Sequence, residues 1–212
     1  MAADVKHAGD RLSSLFHYLV FNITITFFLG AIFYADPYHF WEHALSELGT
    51  TITIKGTPNL VSCITITLGL FINGRLMLEI ARIYRGHPAL PHAGTKSGLM
   101  YLASLGSFIS IFPNNLFHTI HSVGSAFHIG SVFFFDLLLL KEGLSSQKPI
   151  LITLMIGMLS VSVFSYAIPY FLGLPIKQAT QKICVINLLL IILQNTPQSS
   201  QLASPLPTHR PT

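Results

Sequence analysis

Charge is what this chain has least of: charged residues make up 9% of its 212 residues, against about 25% in an ordinary soluble domain. With 51% hydrophobic residues and a mean hydropathy of +0.60, too few polar side chains remain for a water-facing shell. That excludes a soluble globular enzyme and a disordered chain. Cysteine is nearly missing, and Cys63 and Cys184 lie inside apolar runs. This argues against a disulfide framework and for small buried hydrophobes. Runs of basic residues are missing as well. The net charge of +4 and the pI near 9.2 therefore speak for the loop bias of a membrane protein and not for nucleic acid. Acids are scarcest: the 10 histidines outnumber the 8 Asp and Glu.

What is present is a series of apolar stretches near the 17–25 residues (roughly) that cross a hydrocarbon core about 30 Å thick. They cover residues 12–34, 58–74, 98–113, 119–140, 149–172 and 179–194. The first follows Asp4, Lys6, Asp10 and Arg11; it is too long for a signal-peptide core and no small-residue cleavage pattern follows it. It is expected to be an uncleaved span. The third is short. The sixth is the weakest, since Gln181 and Lys182 leave only residues 183–193 apolar, a core of roughly 16 Å. Arg75 and Glu79 close the second as an i,i+4 pair suited to head groups. With six spans, nine of the 12 Lys and Arg fall on the side of the termini, and Lys55, Lys177 and Lys182 on the other. The split predicts both termini in the cytoplasm. Residues 1–194 are expected to form one transmembrane domain. Residues 195–212, rich in Pro, Ser, Thr and Gln, are expected to form a disordered cytoplasmic tail. No internal repeat is evident, so an inverted-repeat transporter gains no direct support. Small residues at close spacing (Ala103, Gly106 and Ser110; Ala126 and Gly130; Gly157 and Ser160) predict close helix packing.

The first outer loop reads Asp36-Pro-Tyr-His-Phe-Trp-Glu-His-Ala-Leu-Ser-Glu-Leu-Gly. Tyr38, Trp41, Leu45 and Leu48 recur at helical spacing, with His39, Glu42, His43 and Ser46 opposite. This predicts a short interfacial helix stopped by Gly49. His39-Phe-Trp-Glu-His43 spells H-x-x-E-H, the zinc motif of one protease class. Its further ligand would be a downstream Glu, and Glu79 and Glu142 are expected on the cytoplasmic side, so the protease fails on topology. In the fourth span His118, His121, Ser125 and His128 share one face, and His128 lies about 15 Å further along the axis than His118. Ionisable residues at such depth face the bundle interior or a watery cavity. His39, Glu42, His43, Ser46, Glu47, Asn114, His118, His121 and His128 are therefore the candidate ligand-binding residues of the outer mouth. Three readings stay open: imidazoles that hydrogen-bond structurally across helices, a metal site activating water, and a proton or ligand pathway. Asp136, near the inner end of that span, is expected to pair with Arg75 or Lys141.

Ala44-Leu-Ser-Glu-Leu-Gly, with Asn59 one residue into the second span, resembles the Ser-Glu-Leu-Gly loop and following Asn of the six-span family catalogued as domain of unknown function 998. Ile111-Phe-Pro-Asn-Asn, His118 and His121-Ser-Val-Gly-Ser resemble its Phe-Pro…His signature. The likeness covers roughly residues 15–194 and extends distantly to the DRAM, Sfk and FGF-receptor-activating-protein membrane families. It implies a fold and topology but no reaction. The sixth span departs, with Gln178, Gln181 and Lys182 where the family has Glu-Arg and a Trp.

The expectation is thus an all-α bundle of six transmembrane helices in the cell membrane, non-enzymatic, with lipids as partners, binding or sensing lipid within the bundle and needing no cofactor. The alternatives are a metal-dependent membrane hydrolase, for which zinc would be the metal, and a small-molecule or proton transporter.

Overall fold

The computed structural model describes residues 2–143 and 149–195. The expected disordered tail lies outside them, apart from Asn195, which ends the last helix. The chain is all-helical, in the order α1 (Ala2–Ile32), α2 (Leu60–Gly86), α3 (Ala93–Ile109), α4 (His118–Gly143), α5 (Pro149–Leu172) and α6 (Lys177–Asn195). Four of them, α1, α2, α4 and α5, are long and apolar enough to cross a membrane. Among the described residues the six apolar stretches become six helices, five with shifted ends and the fifth, 149–172, unchanged. α2 runs on past Gly74 through an exposed charged turn, where Glu79 lies 2.5 Å from Arg82 and 3.9 Å from Arg75. α3 starts five residues before Gly98 because Lys96 and Ser97 are hidden in protein: Ser97 donates to the Ala81 carbonyl at 2.9 Å and Lys96 to Glu142 at 2.6 Å.

Helices α1 to α4 lie side by side in chain order, and α6 closes the ring by touching α1, α4 and α5. Backbones come very close where glycines cross. A Cβ on Gly69 would lie 2.1 Å from Thr26 of α1, and one on Gly106 would lie 2.4 Å from the backbone N of His128. The expected close contact at Gly106 is therefore present. It is absent at Gly130 and Gly157, where an added Cβ would meet nothing within 4 Å. α5 ends at Gly173, whose φ of +68° only glycine adopts without strain, and Leu174 N–H donates to the Pro169 carbonyl at 2.9 Å to finish the turn.

The two ends of the bundle differ. The end holding the start of α1 is solid: Phe135 packs against Phe16 at 5.4 Å and edge-on against Tyr84 at 6.0 Å, with Ile80 and Met100 fully buried around them. Asp136 is fully buried there and among the described residues neither carboxylate oxygen has a hydrogen-bond partner, so the expected pairing with Arg75 or Lys141 is not formed. Arg75 is exposed and occupied by Glu79.

At the other end, the loop end, residues 33–59 join α1 to α2. The expected interfacial helix does not form. Glu42 and His43 N–H both return to the His39 carbonyl in a single turn, Ala44 is extended (φ −73°, ψ 153°), and a 3-10 turn follows over Leu45–Glu47. A helix would use its own carbonyls internally. Instead those of His43 and Leu48 are taken by side chains of α6 and α2. Gly49 consequently caps nothing, and a Cβ there would press on Ile66 at 3.2 Å.

Candidate functional site

The loop end is built from below. Buried Asn59 accepts from Ala35 N–H at 3.1 Å and donates to the carbonyls of Thr50 at 2.9 Å and Leu48 at 3.3 Å. The Ser62 hydroxyl lies 2.7 Å from the Leu48 carbonyl and 2.8 Å from that of Gly30. Asn115, before α4, clasps Thr51 through the backbone N–H at 3.1 Å and the hydroxyl at 2.9 Å. Asp36 accepts from Thr53 at 2.5 Å and Thr57 at 3.2 Å. On the far side, Leu45 N–H donates to Gln181 of α6 at 2.9 Å. The Lys182 ammonium, 1% exposed, donates to the His43 and Gln178 carbonyls and sits over the rings of Phe40 (5.2 Å) and Tyr38 (5.9 Å). Burial first, then the Glu47 charge, hold the Tyr38 hydroxyl above its ordinary pKa. It therefore stays a donor, toward the His43 and Ala44 carbonyls. The segment is a cap pinned to α2, α6 and the turn before α4.

Beneath the cap the bundle is hollow. One cavity, about 100 Å³, lies among α1, α2, α4 and α6, walled by apolar side chains such as Ile23, Ile66, Leu70, Val132 and Leu188. A second, about 210 Å³, lies between α4 and α5, where Ala126, Gly130, Val163, Tyr166 and Tyr170 leave space. It reaches the outer surface of the bundle at Phe171, which is 83% exposed. The two share Ser46, His121, Ser125, Ile129 and Gln181, so they adjoin along a common wall under the cap. Polar groups gather at this wall. His121 is buried with Nδ1 3.0 Å from the Phe112 carbonyl, Ser125 Oγ is 3.3 Å from Ser110 Oγ, and Gln181 reaches Tyr166 at 3.4 Å. Asn73, held by Asn22 at 2.7 Å, and His128, whose Nδ1 is buried with no partner among the described residues, stand deeper in the first cavity.

Of the nine residues expected at the site, Ser46, His121 and His128 line the first cavity, and Ser46, Asn114, His118 and His121 the second. His118 is at the rim, with Nδ1 2.9 Å from Asn114 Oδ1. His43 and Glu47 are tucked under the cap, 3.9 Å apart, beside Lys182 and outside both cavities. His39 and Glu42 are exposed on the cap's outer side, the His39 ring edge-on to His43 at 5.8 Å. Among the described residues, no three His, Cys, Asp or Glu side chains are grouped to hold a metal ion. Ser110, Ser122, Ser125, Asn73, Gln181, Tyr166 and Tyr170 belong to the site beyond those nine. The polarity of Gln181 in a weak apolar stretch was the available signal: a polar side chain on a helix short of lipid-facing residues has protein to face.

Compared with family models, curated proteins and solved structures, the chain matches none.

Proposed function

We propose that this chain is a six-span protein of the cell membrane, with both termini in the cytoplasm, that holds a membrane lipid by its polar end inside the bundle. α3 and α6, of 17 and 19 residues, supply the two spans beyond the four apolar ones. The positively charged loops on the side of the termini support the orientation. Its motifs support membership of the six-span family of domain of unknown function 998. The cap then faces away from the cytoplasm. One observation carries the lipid reading. The two cavities join apolar walls to a cluster of uncharged polar groups, and one of them reaches the lipid-facing surface between α4 and α5. Ligand sites have this composition, mostly apolar with a few placed polar groups. The space suits a head group and the first methylenes of a chain, since an engineered cavity of about 150 Å³ accepts a benzene. The rest of the tail would leave between α4 and α5.

Filling the space tests this. Gly130→Trp and Ile129→Trp, purified in mild detergent and extracted, should carry less than about a tenth of the wild-type co-purifying lipid, the loss expected if binding weakens by 1.4 kcal/mol or more. A Cβ added at Gly130 meets nothing within 4 Å and the residue borders the second cavity, so folding should survive. Wild-type lipid content in both folded variants would refute the proposal.

A further inference from the structure

Resting on that lipid-binding reading, we infer that the lipid taken into these cavities has an uncharged, hydroxyl-bearing head, of the acylglycerol or ceramide kind, and not a phosphate or carboxylate. Among the described residues no Lys, Arg, Asp or Glu lines either cavity. The two buried lysines are committed elsewhere, Lys182 to the loop carbonyl of His43 and the α6 carbonyl of Gln178, and Lys96 to Glu142 at the opposite end. An anionic head enclosed by this lining would be a buried charge without a counter-charge, the least favourable occupant of a dry site.

The polar groups that do line it ask for a hydroxyl. His128 lines the first cavity, and its Nδ1 is buried with no hydrogen-bond partner among the described residues. A hydroxyl satisfies that nitrogen in either neutral tautomer, as donor to a lone pair or acceptor from an N–H. A carboxylate or a fully ionised phosphate can only accept. His121 gives its Nδ1 proton to the Phe112 carbonyl, so the neutral ring keeps only an acceptor, and it needs a donor from any ligand beside it. Ser125 and Ser110, 3.3 Å apart, donate or accept as required. Two or more hydroxyls, as on a glycerol or sphingoid head, would meet His121, Ser125 and His128 along one face of α4, with the chain running out past Gly130.

The test holds the tail constant and varies the head. Delipidated full-length protein in detergent is offered an equimolar mixture of 1-oleoylglycerol, oleate and 1-oleoyl-lysophosphatidate, with glycerol alone as the tail-free arm, and bound species are weighed by native mass spectrometry. Oleoylglycerol should be retained about tenfold over either anion, and glycerol not at all. In His128→Phe, and independently in Ser125→Ala, that preference should fall several-fold while the protein stays folded. Equal or greater retention of the anions would overturn the inference about the head and leave the lipid-binding reading standing. So would an unchanged preference in both variants. Retention of glycerol as strong as that of oleoylglycerol would overturn the lipid as the source of the hydroxyl. No retention of any oleoyl compound would overturn the lipid-binding reading itself.

Discussion

Helix α4 presents small residues to two neighbours and is treated oppositely by each. Toward α3, Gly106 and Gly124 bring the backbones together: an added Cβ would stand 2.4 Å from His128 N in one case and 2.7 Å from Ser110 N in the other. Toward α5, Ala126 and Gly130 border open space, and the neighbouring chains Val163, Tyr166 and Tyr170 do not fill it. The same residue types thus seal one side of the helix and hollow the other. The difference lies in what the partner offers. α3 supplies small residues, Ala103, Gly106 and Ser110, so two smooth surfaces close on each other with dispersion contacts along their length. α5 supplies long aromatic side chains that prop the helices apart. Small against small gives a seam; small against large gives a pocket.

The largest effect should come from putting the same side chain on both faces. Gly106→Leu must push two backbones apart and should cost about 3 kcal/mol or more, the upper range of overpacking. Gly130→Leu enters empty space and should move stability by about 0.5 kcal/mol or less. Thermal unfolding in one detergent measures both. Equal losses would break the contrast between the faces. A step smaller, Gly124→Ala adds one methyl against Ser110 and Ile109, at 2.7 to 2.8 Å, and should cost about 1–2 kcal/mol. Its control is Gly157→Ala, which meets nothing and should match or slightly exceed wild type through helix propensity.

How much of this was legible in the sequence divides by the range of the interaction. α1, α2, α4 and α5 announce themselves because hydropathy over a window reports what the residues themselves prefer. The start of α3 is masked: Lys96 and Ser97 read as a loop by hydropathy, yet are buried against Glu142 and Ala81, partners far along the chain. The shared face of His121, Ser125 and His128 follows from the 3.6-residue period. That Gln181 of α6 and Asn73 of α2 complete the same lining does not, because periodicity says nothing about which helix stands opposite. The cap shows the limit most plainly. Its apolar stripe of Tyr38, Trp41, Leu45 and Leu48 has helical spacing, but its backbone is claimed by Asn59, Ser62 and Lys182, and local pattern loses to those bonds. Small residues were legible as such, while the distinction between seam and pocket was not, since it depends on the partner's side chains.

The smallest effect sharpens the comparison most, because it separates stability from access. The Tyr170 hydroxyl donates to Ser122 Oγ at 2.5 Å, tying α5 to α4 beside the second cavity. Tyr170→Phe removes that tie and little else. Ser122 can turn its hydroxyl to the carbonyl one helical turn back, a bond open to any helical serine, so no buried polar group is stranded. The stability cost should stay near 0.5–1 kcal/mol, roughly the net worth of one hydrogen bond. If α4 and α5 border a lateral path for a lipid tail, loosening them should act on rates: release of a bound fluorescent acylglycerol into excess empty micelles should quicken several-fold. Ser107→Ala, which removes a hydroxyl bonded at 2.8 Å to the Leu70 carbonyl across the sealed α2–α3 seam, serves as the matched loss. It should cost about the same stability and leave release unchanged. Faster release in both variants would mean that exchange follows general loosening of the bundle, and the α4–α5 face would lose its distinction as the route.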